Sequence, residues 1–126
     1  MDNVIPIHSH RTFTKGDVEQ ILPIVKRMTE RAASTFDDLK EQLHWTPKDE
    51  PSFKRLQREI DLIVTRWATK VSRLGCEPKG IWLVDFDSGD GWFSWRYGDE
   101  ELSYFHPHEL DIDGVVFSTE MNELPS

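Results

Sequence analysis

The densest gathering of donor side chains in this chain is His106-Pro107-His108-Glu109, with Asp111 and Asp113 just beyond. Imidazole nitrogens and carboxylate oxygens are the ligands that hold zinc and other divalent transition metals. Alternate residues of an extended segment share a face, so His106 and His108 would point together, with Glu109 as a third donor, unless Pro107 twists them apart. His8 and His10 would join only if the N-terminal segment lies nearby. The plainer account is a polar loop with hydrogen-bonded histidines, because no long-range ligand spacing accompanies the cluster.

A second set lies upstream. Asp85-x-Asp87-x-x-Asp90-Gly91 superficially resembles a calcium loop. The third acid is displaced, however, the twelfth position is Arg96, and strands rather than helices are expected on either side. Arg96 is one of only two basic residues beyond Gly75. Its planar fork would grip a carboxylate or a phosphate, or more simply pair with Asp85, Asp99 or Glu100. The single cysteine, Cys76, has no activating partner nearby in sequence and reads as a small residue after a helix end. The chain has no glycine-rich phosphate loop, no serine nucleophile elbow and no Cys-Cys or Cys-His metal spacing. It carries no catalytic signature, and no cofactor beyond that transition metal is expected.

The elements that would position these residues are legible. Two apolar ladders with steps of three and four mark two helices: Val18, Ile21, Val25, Met28, Ala32, Phe36, Leu39, Leu43, and then Phe53, Leu56, Ile60, Ile63, Trp67, Val71, Leu74. Thr14 and Asp17 predict an N-cap for a first helix over about 15–44, with a kink expected at Pro23. Asp49 or Ser52 would cap the second, which should end at Leu74 before Gly75. The short link makes the helices antiparallel neighbours. Beyond Gly75 the period changes. Ile81-Trp82-Leu83-Val84 reads as a strand covered on both faces, 92–97 as a second, 102–106 as a third and 115–117 as a short fourth. The fold class is α+β: a long antiparallel two-helix hairpin packed with a small three- to four-stranded antiparallel sheet. The chain forms one domain, with the hairpin at 15–75, the sheet at 76–118 and flexible ends at 1–12 and 119–126. An apolar seam on the hairpin and a strand apolar on both faces together ask for a second cover, hence a homodimer.

Charge divides along the chain. Residues 1–75 hold 13 Lys+Arg and 11 Asp+Glu, a net of +2, whereas residues 76–126 hold 2 and 12, a net of −10. On the second helix Lys54, Arg55, Arg58, Arg66, Lys70 and Arg73 fall opposite the ladder. They form a basic arc that reads as a solvated face or as a docking face for acids. The acidic half repels phosphate backbones and anionic lipid, so nucleic acid is an unfavoured partner. No apolar run is long enough to span a bilayer, no signal segment opens the chain, and one cysteine suits a reducing cytoplasm.

Several segments fall in a familiar order: Arg11-Thr12-Phe13-Thr14, Ile21-Leu22-Pro23, Leu74-Gly75, Leu83-Val84-Asp85-Phe86 and Trp95-Arg96-Tyr97-Gly98-Asp99, followed by a histidine, either His106 after Phe105 or His108. In this order the chain resembles the small bacterial proteins catalogued as domain of unknown function 2203, over residues 11 to 117. It departs from their pattern at Asp99, where Glu is usual, at Ser94, where Cys is frequent, and at Gly114-Val115, where a Gly-Arg pair is expected. The resemblance implies a fold and a bacterial cytoplasmic setting but no reaction. Its motifs make Asp85, Trp95, Arg96 and Asp99 the candidate ligand-binding residues beside the metal candidates His106, His108 and Glu109. The leading reading is an interaction or scaffold protein acting as a homo-oligomer. The alternatives are a metal- or small-ligand-binding protein with hydrolytic capacity and a nucleic-acid binder working through the basic arc.

Overall fold

The computed structural model describes residues 11–102 and the backbone of 104–107. Helix α1 runs Lys15–His44 and α2 runs Pro51–Arg73. Four strands follow: β1 Glu77–Gly80, β2 Leu83–Asp87, β3 Gly91–Arg96 and β4 Tyr104–Pro107. They form one antiparallel sheet in the order β1-β2-β3-β4. This is the α+β hairpin-and-sheet arrangement that the two periodicities predict.

Local chemistry sets the helix ends. The Thr14 hydroxyl accepts from the Asp17 amide at 3.0 Å, and the Asp17 carboxylate accepts from the Thr14 amide at 3.0 Å, a reciprocal capping box. The Thr14 backbone bond holds the Asp17 carboxyl below its ordinary value. α1 stays helical through Pro23, which is solvent-exposed. The second cap differs from expectation. Glu50 is the N-cap without a side-chain bond, and neither Asp49 nor Ser52 serves. Pro51 opens the helix instead, because its fixed φ suits the first turn and its missing N–H would have had no partner there. At the far end Gly75 takes φ 95°, its amide donates to Ser72 O at 2.9 Å, and the Cys76 amide donates to Val71 O at 3.3 Å. That closing pattern needs a residue free to adopt positive φ.

The buried stripe of α1 is Val18, Leu22, Val25, Thr29, Ala33 and Leu39. Val18, Val25 and Leu39 are ladder residues, whereas Leu22, Thr29 and Ala33 are buried beside the expected Ile21, Met28 and Ala32, which are only half-buried. The Thr29 hydroxyl accepts from Trp67 Nε1 at 2.8 Å in the interior. In α2 the ladder holds, with Leu56, Ile60, Trp67 and Val71 buried. One core joins α1, α2 and the sheet through Phe13, Val18, Leu22, Val25, Trp67, Val71, Val84, Phe86 and Trp95. A smaller one, built on Leu39, Leu56 and Ile60, closes the far end of the hairpin. Phe13 belongs to neither ladder. Its ring meets Phe86 edge-on at 5.6 Å, and its amide donates to Asp87 O at 2.7 Å, tying the approach to α1 against β2.

The sheet departs from expectation at its first strand. The run from Ile81 to Val84 is not one strand: Ile81 is 54% exposed and Trp82 turns the chain at φ 65°. A positive φ is uncommon for a bulky residue and costs on the order of 1–3 kcal/mol. Packing holds it, since the Trp82 ring stands edge-on to Trp67 at 5.0 Å and to Phe36 at 5.5 Å. β1, with sequence Glu-Pro-Lys-Gly, carries no apolar alternation and was not foreseen; it is an edge strand, where proline is tolerated. The expected strand at 115–117 lies outside the described residues.

Candidate functional site

The register of the sheet sorts its side chains into two faces. Glu77 pairs with Asp85, Asp85 with Ser94, and Asp87 with Trp92, while Val84 pairs with Trp95 and Phe86 with Phe93. Residues two apart share a face. Val84, Phe86 and Trp95 therefore look into the core, and Glu77, Leu83, Asp85, Asp87, Trp92, Ser94 and Arg96 occupy the other face. β2 is not apolar on both sides, so that premise for a second subunit is replaced by a polar face.

Asp85, Asp87 and Ser94 are nevertheless buried. A carboxylate out of water must be satisfied by donors. Ser94 Oγ donates to Asp85 Oδ1 at 2.6 Å. Asp87 Oδ1 accepts from the Gly89 amide at 2.9 Å and so shapes the β2–β3 turn, where Gly89 adopts φ 100°. Lys79 lies over the Trp92 ring with its nitrogen 5.3 Å from the centroid.

The four ligand-binding candidates do not converge. Asp85 lies on the polar face. Trp95 is on the core face, 2% exposed, and its Nε1 donates to Asp99 O at 2.8 Å. Asp99 thus takes part through its backbone, closing the turn at Gly98. Arg96 is exposed, stands in register with Leu83, and makes no ion pair among the described residues, so the expected pairing with Asp85, Asp99 or Glu100 does not occur there. His106 pairs in register with Trp92, which places Asp87, Trp92 and His106 in one row across three strands. His108 and Glu109 lie outside the described residues, as do His8, His10, Asp111 and Asp113. Among the described residues no group of three His, Cys, Asp or Glu side chains is arranged to hold a metal. Cys76 is buried, and burial pushes its thiol up to about 12, opposed weakly by Arg11. A thiol protonated at neutral pH is a poor nucleophile.

Sequence reasoning missed a groove between the helices. It encloses about 310 Å³ and is lined by residues of both α1 and α2. Its floor is Met28, Ala32, Ile63 and Trp67, and Ile24, 43% exposed, stands at one edge. Arg27 and Arg31 flank it on α1, and Arg66 and Lys70 flank it on α2. No acidic residue lines it, and none of the four cations makes a side-chain hydrogen bond or ion pair among the described residues. Arg66 and Lys70 belong to the basic arc read from sequence, whereas Arg27 and Arg31 carry a signal that was available: two cations four apart beside an apolar stripe. The remaining arc residues, Lys54, Arg55, Arg58 and Arg73, are exposed.

Comparison with known proteins gives one match. A family model described as "Uncharacterized conserved protein (DUF2203)" matches residues 11–114, more than half of the chain. No curated protein and no solved structure matches.

Proposed function

This chain belongs to the family of uncharacterized conserved proteins DUF2203, and we propose that it works as a small non-enzymatic interaction module whose helical hairpin is the docking element. The observation that carries this reading is the groove: four cations without ion-pair partners among the described residues, raised on two helices over an apolar floor. Surface lysines and arginines ordinarily find carboxylates or water, and apolar floors ordinarily find a cover. The residues that looked chemical support the same reading from the other side. Asp85, Asp87, Trp95 and Asp99 are engaged in bonds that hold strands and turns together.

Self-association is the second part of the proposal. A half of net −10 and a half of net +2 in one chain make the acidic half of one copy complementary to the outer arc of α2 in another. Multi-angle light scattering at low salt should return twice the 14.8 kDa chain mass, falling towards one chain at roughly 0.5 M salt, where the screening length shrinks below about 5 Å. A 14.8 kDa particle at every concentration and salt would remove homo-oligomerisation. A bacterial cytoplasmic setting accompanies the proposal, since the one thiol is buried and unpaired, as suits a reducing compartment.

A second reading, metal or small-ligand binding on the polar sheet face, is favoured by the row of Asp87, Trp92 and His106 beside buried Asp85. For a metal, zinc, cobalt or nickel added to metal-free protein should raise the melting temperature by mass action. An unchanged melting temperature with all three removes the metal part of that reading.

A further inference from the structure

We infer that the inter-helix groove receives an acidic amphipathic helix of a partner protein, a choice of partner that rests on the interaction reading above. The inference starts from spacing. Arg27 and Arg31 are four residues apart on α1, as are Arg66 and Lys70 on α2. Four residues of helix advance about 6 Å, so each side of the groove is a rail with two positive charges about 6 Å apart. A third helix laid along the groove has the same repeat. Carboxylates at i and i+4 on each flank meet the rails, and the apolar stripe between them meets Ile24, Met28 and Ile63. The occupied groove is then a three-helix layer, in which the half-buried apolar side chains of α1 acquire their cover.

Charge and shape together select this occupant. A basic helix is repelled by the four cations. A nucleic acid would satisfy the rails but would set sugar and phosphate on an apolar floor. A second copy offers a poorer match among the described residues: α2 carries two acids, Glu59 and Asp61, against six cations, and α1, with six acids against five Lys and Arg, has its apolar stripe already buried against α2 and the sheet.

The probe is a fluorescein-labelled synthetic peptide of about 18 residues, five helical turns, with leucines at helical spacing and glutamates flanking them at i and i+4. Fluorescence anisotropy with the full chain should show saturable binding. The variant R27E/R66E, one reversal on each rail, should weaken it at least about tenfold, and I24D should weaken it severalfold by charging the groove edge. The variant K15E/K48E changes the net charge equally but lies outside both the groove and the α2 arc, at exposed positions, and it should bind within about twofold of the parent. Circular dichroism confirms that each variant keeps its helices. The inference is overturned if the labelled peptide fails to bind, if a permuted peptide of the same composition binds as well, if a single-stranded DNA oligonucleotide binds more tightly, or if K15E/K48E weakens binding as much as R27E/R66E. Failure here with the dimer retained in light scattering would remove the groove assignment and leave the interaction reading standing. Loss of both would remove both.

Discussion

Replacing Trp67 with alanine should lower the unfolding free energy by about 4 kcal/mol, the usual range for emptying a buried tryptophan site. For a domain of this size that is a fall of roughly 15 °C in melting temperature. Trp67 is 2% exposed, stands edge-on to Trp82, and donates through Nε1 to the Thr29 hydroxyl. It touches α1 and the β1–β2 turn at once, so its loss uncouples the hairpin from the sheet as well as opening a cavity. The hydrogen bond separates from the packing by a second pair of variants. Thr29→Val leaves a buried indole N–H without an acceptor and should cost about 1–3 kcal/mol. Trp67→Phe combined with Thr29→Val removes both polar partners, so the extra loss on adding Thr29→Val to Trp67→Phe should be much smaller than the loss from Thr29→Val alone. Thermal or urea unfolding measures all four. Equal costs for Thr29→Val in the two backgrounds would mean that the bond contributes nothing.

Trp67 and Thr29 also mark where the sequence was legible and where it was not. Every buried residue of α2 sits on the ladder read from spacing, because α2 buries a plain apolar stripe. In α1 the ladder names Met28 and Ala32, and the fold buries Thr29 and Ala33. Hydrophobic spacing gives a stripe its period but fixes its edges only to within a residue, and a buried hydroxyl that takes a place in the stripe does so with a partner 38 residues away. Such a partner is invisible to any local pattern. The same limit explains the sheet. β3 follows from its aromatic alternation and the preceding glycines, whereas β1 has no pattern of its own and is a strand only because β2 lies beside it. Ile81 and Trp82 look like strand interior, yet the chain turns there: the Trp82 ring packs on rings from both helices while its carbonyl accepts from the Tyr97 amide at 2.9 Å.

For the candidate site the limits are different in kind. Trp95, Arg96 and Asp99 are neighbours along the chain, and strand alternation sends them to different places: one into the core, one to solvent, one to a turn carbonyl. Adjacency in a motif is therefore no guide to convergence. The pairing of Asp85 with Ser94 required the register of a hairpin, and the register required the turn at Gly89. The groove required the relative placement of two helices, and no spacing within either one reports that placement. What the sequence did contain was each rail by itself.

The second large effect is expected at Asp85 and Ser94. Ser94→Ala should cost about 2 kcal/mol, because it takes one donor from a carboxylate that is 7% exposed. Asp85→Ala should cost more, on the order of 3 kcal/mol, since it also leaves a small void beside the strands and leaves the buried Ser94 hydroxyl without its acceptor. Asp85→Asn is the informative substitution. Asparagine keeps the shape and an acceptor for the Ser94 hydroxyl, so its cost should fall below that of Ser94→Ala. In a double-mutant cycle Asp85→Ala and Ser94→Ala should show a coupling of at least about 1 kcal/mol. A structural role ends there: Asp85→Asn leaves the light-scattering mass unchanged. Were the polar face a metal site, Asp85→Asn would in addition abolish the rise in melting temperature with zinc, cobalt or nickel. An Asp85→Asn protein markedly less stable than Ser94→Ala would show that the negative charge itself holds this face together, and the carboxylate would then have to be answered by a cation on the same face.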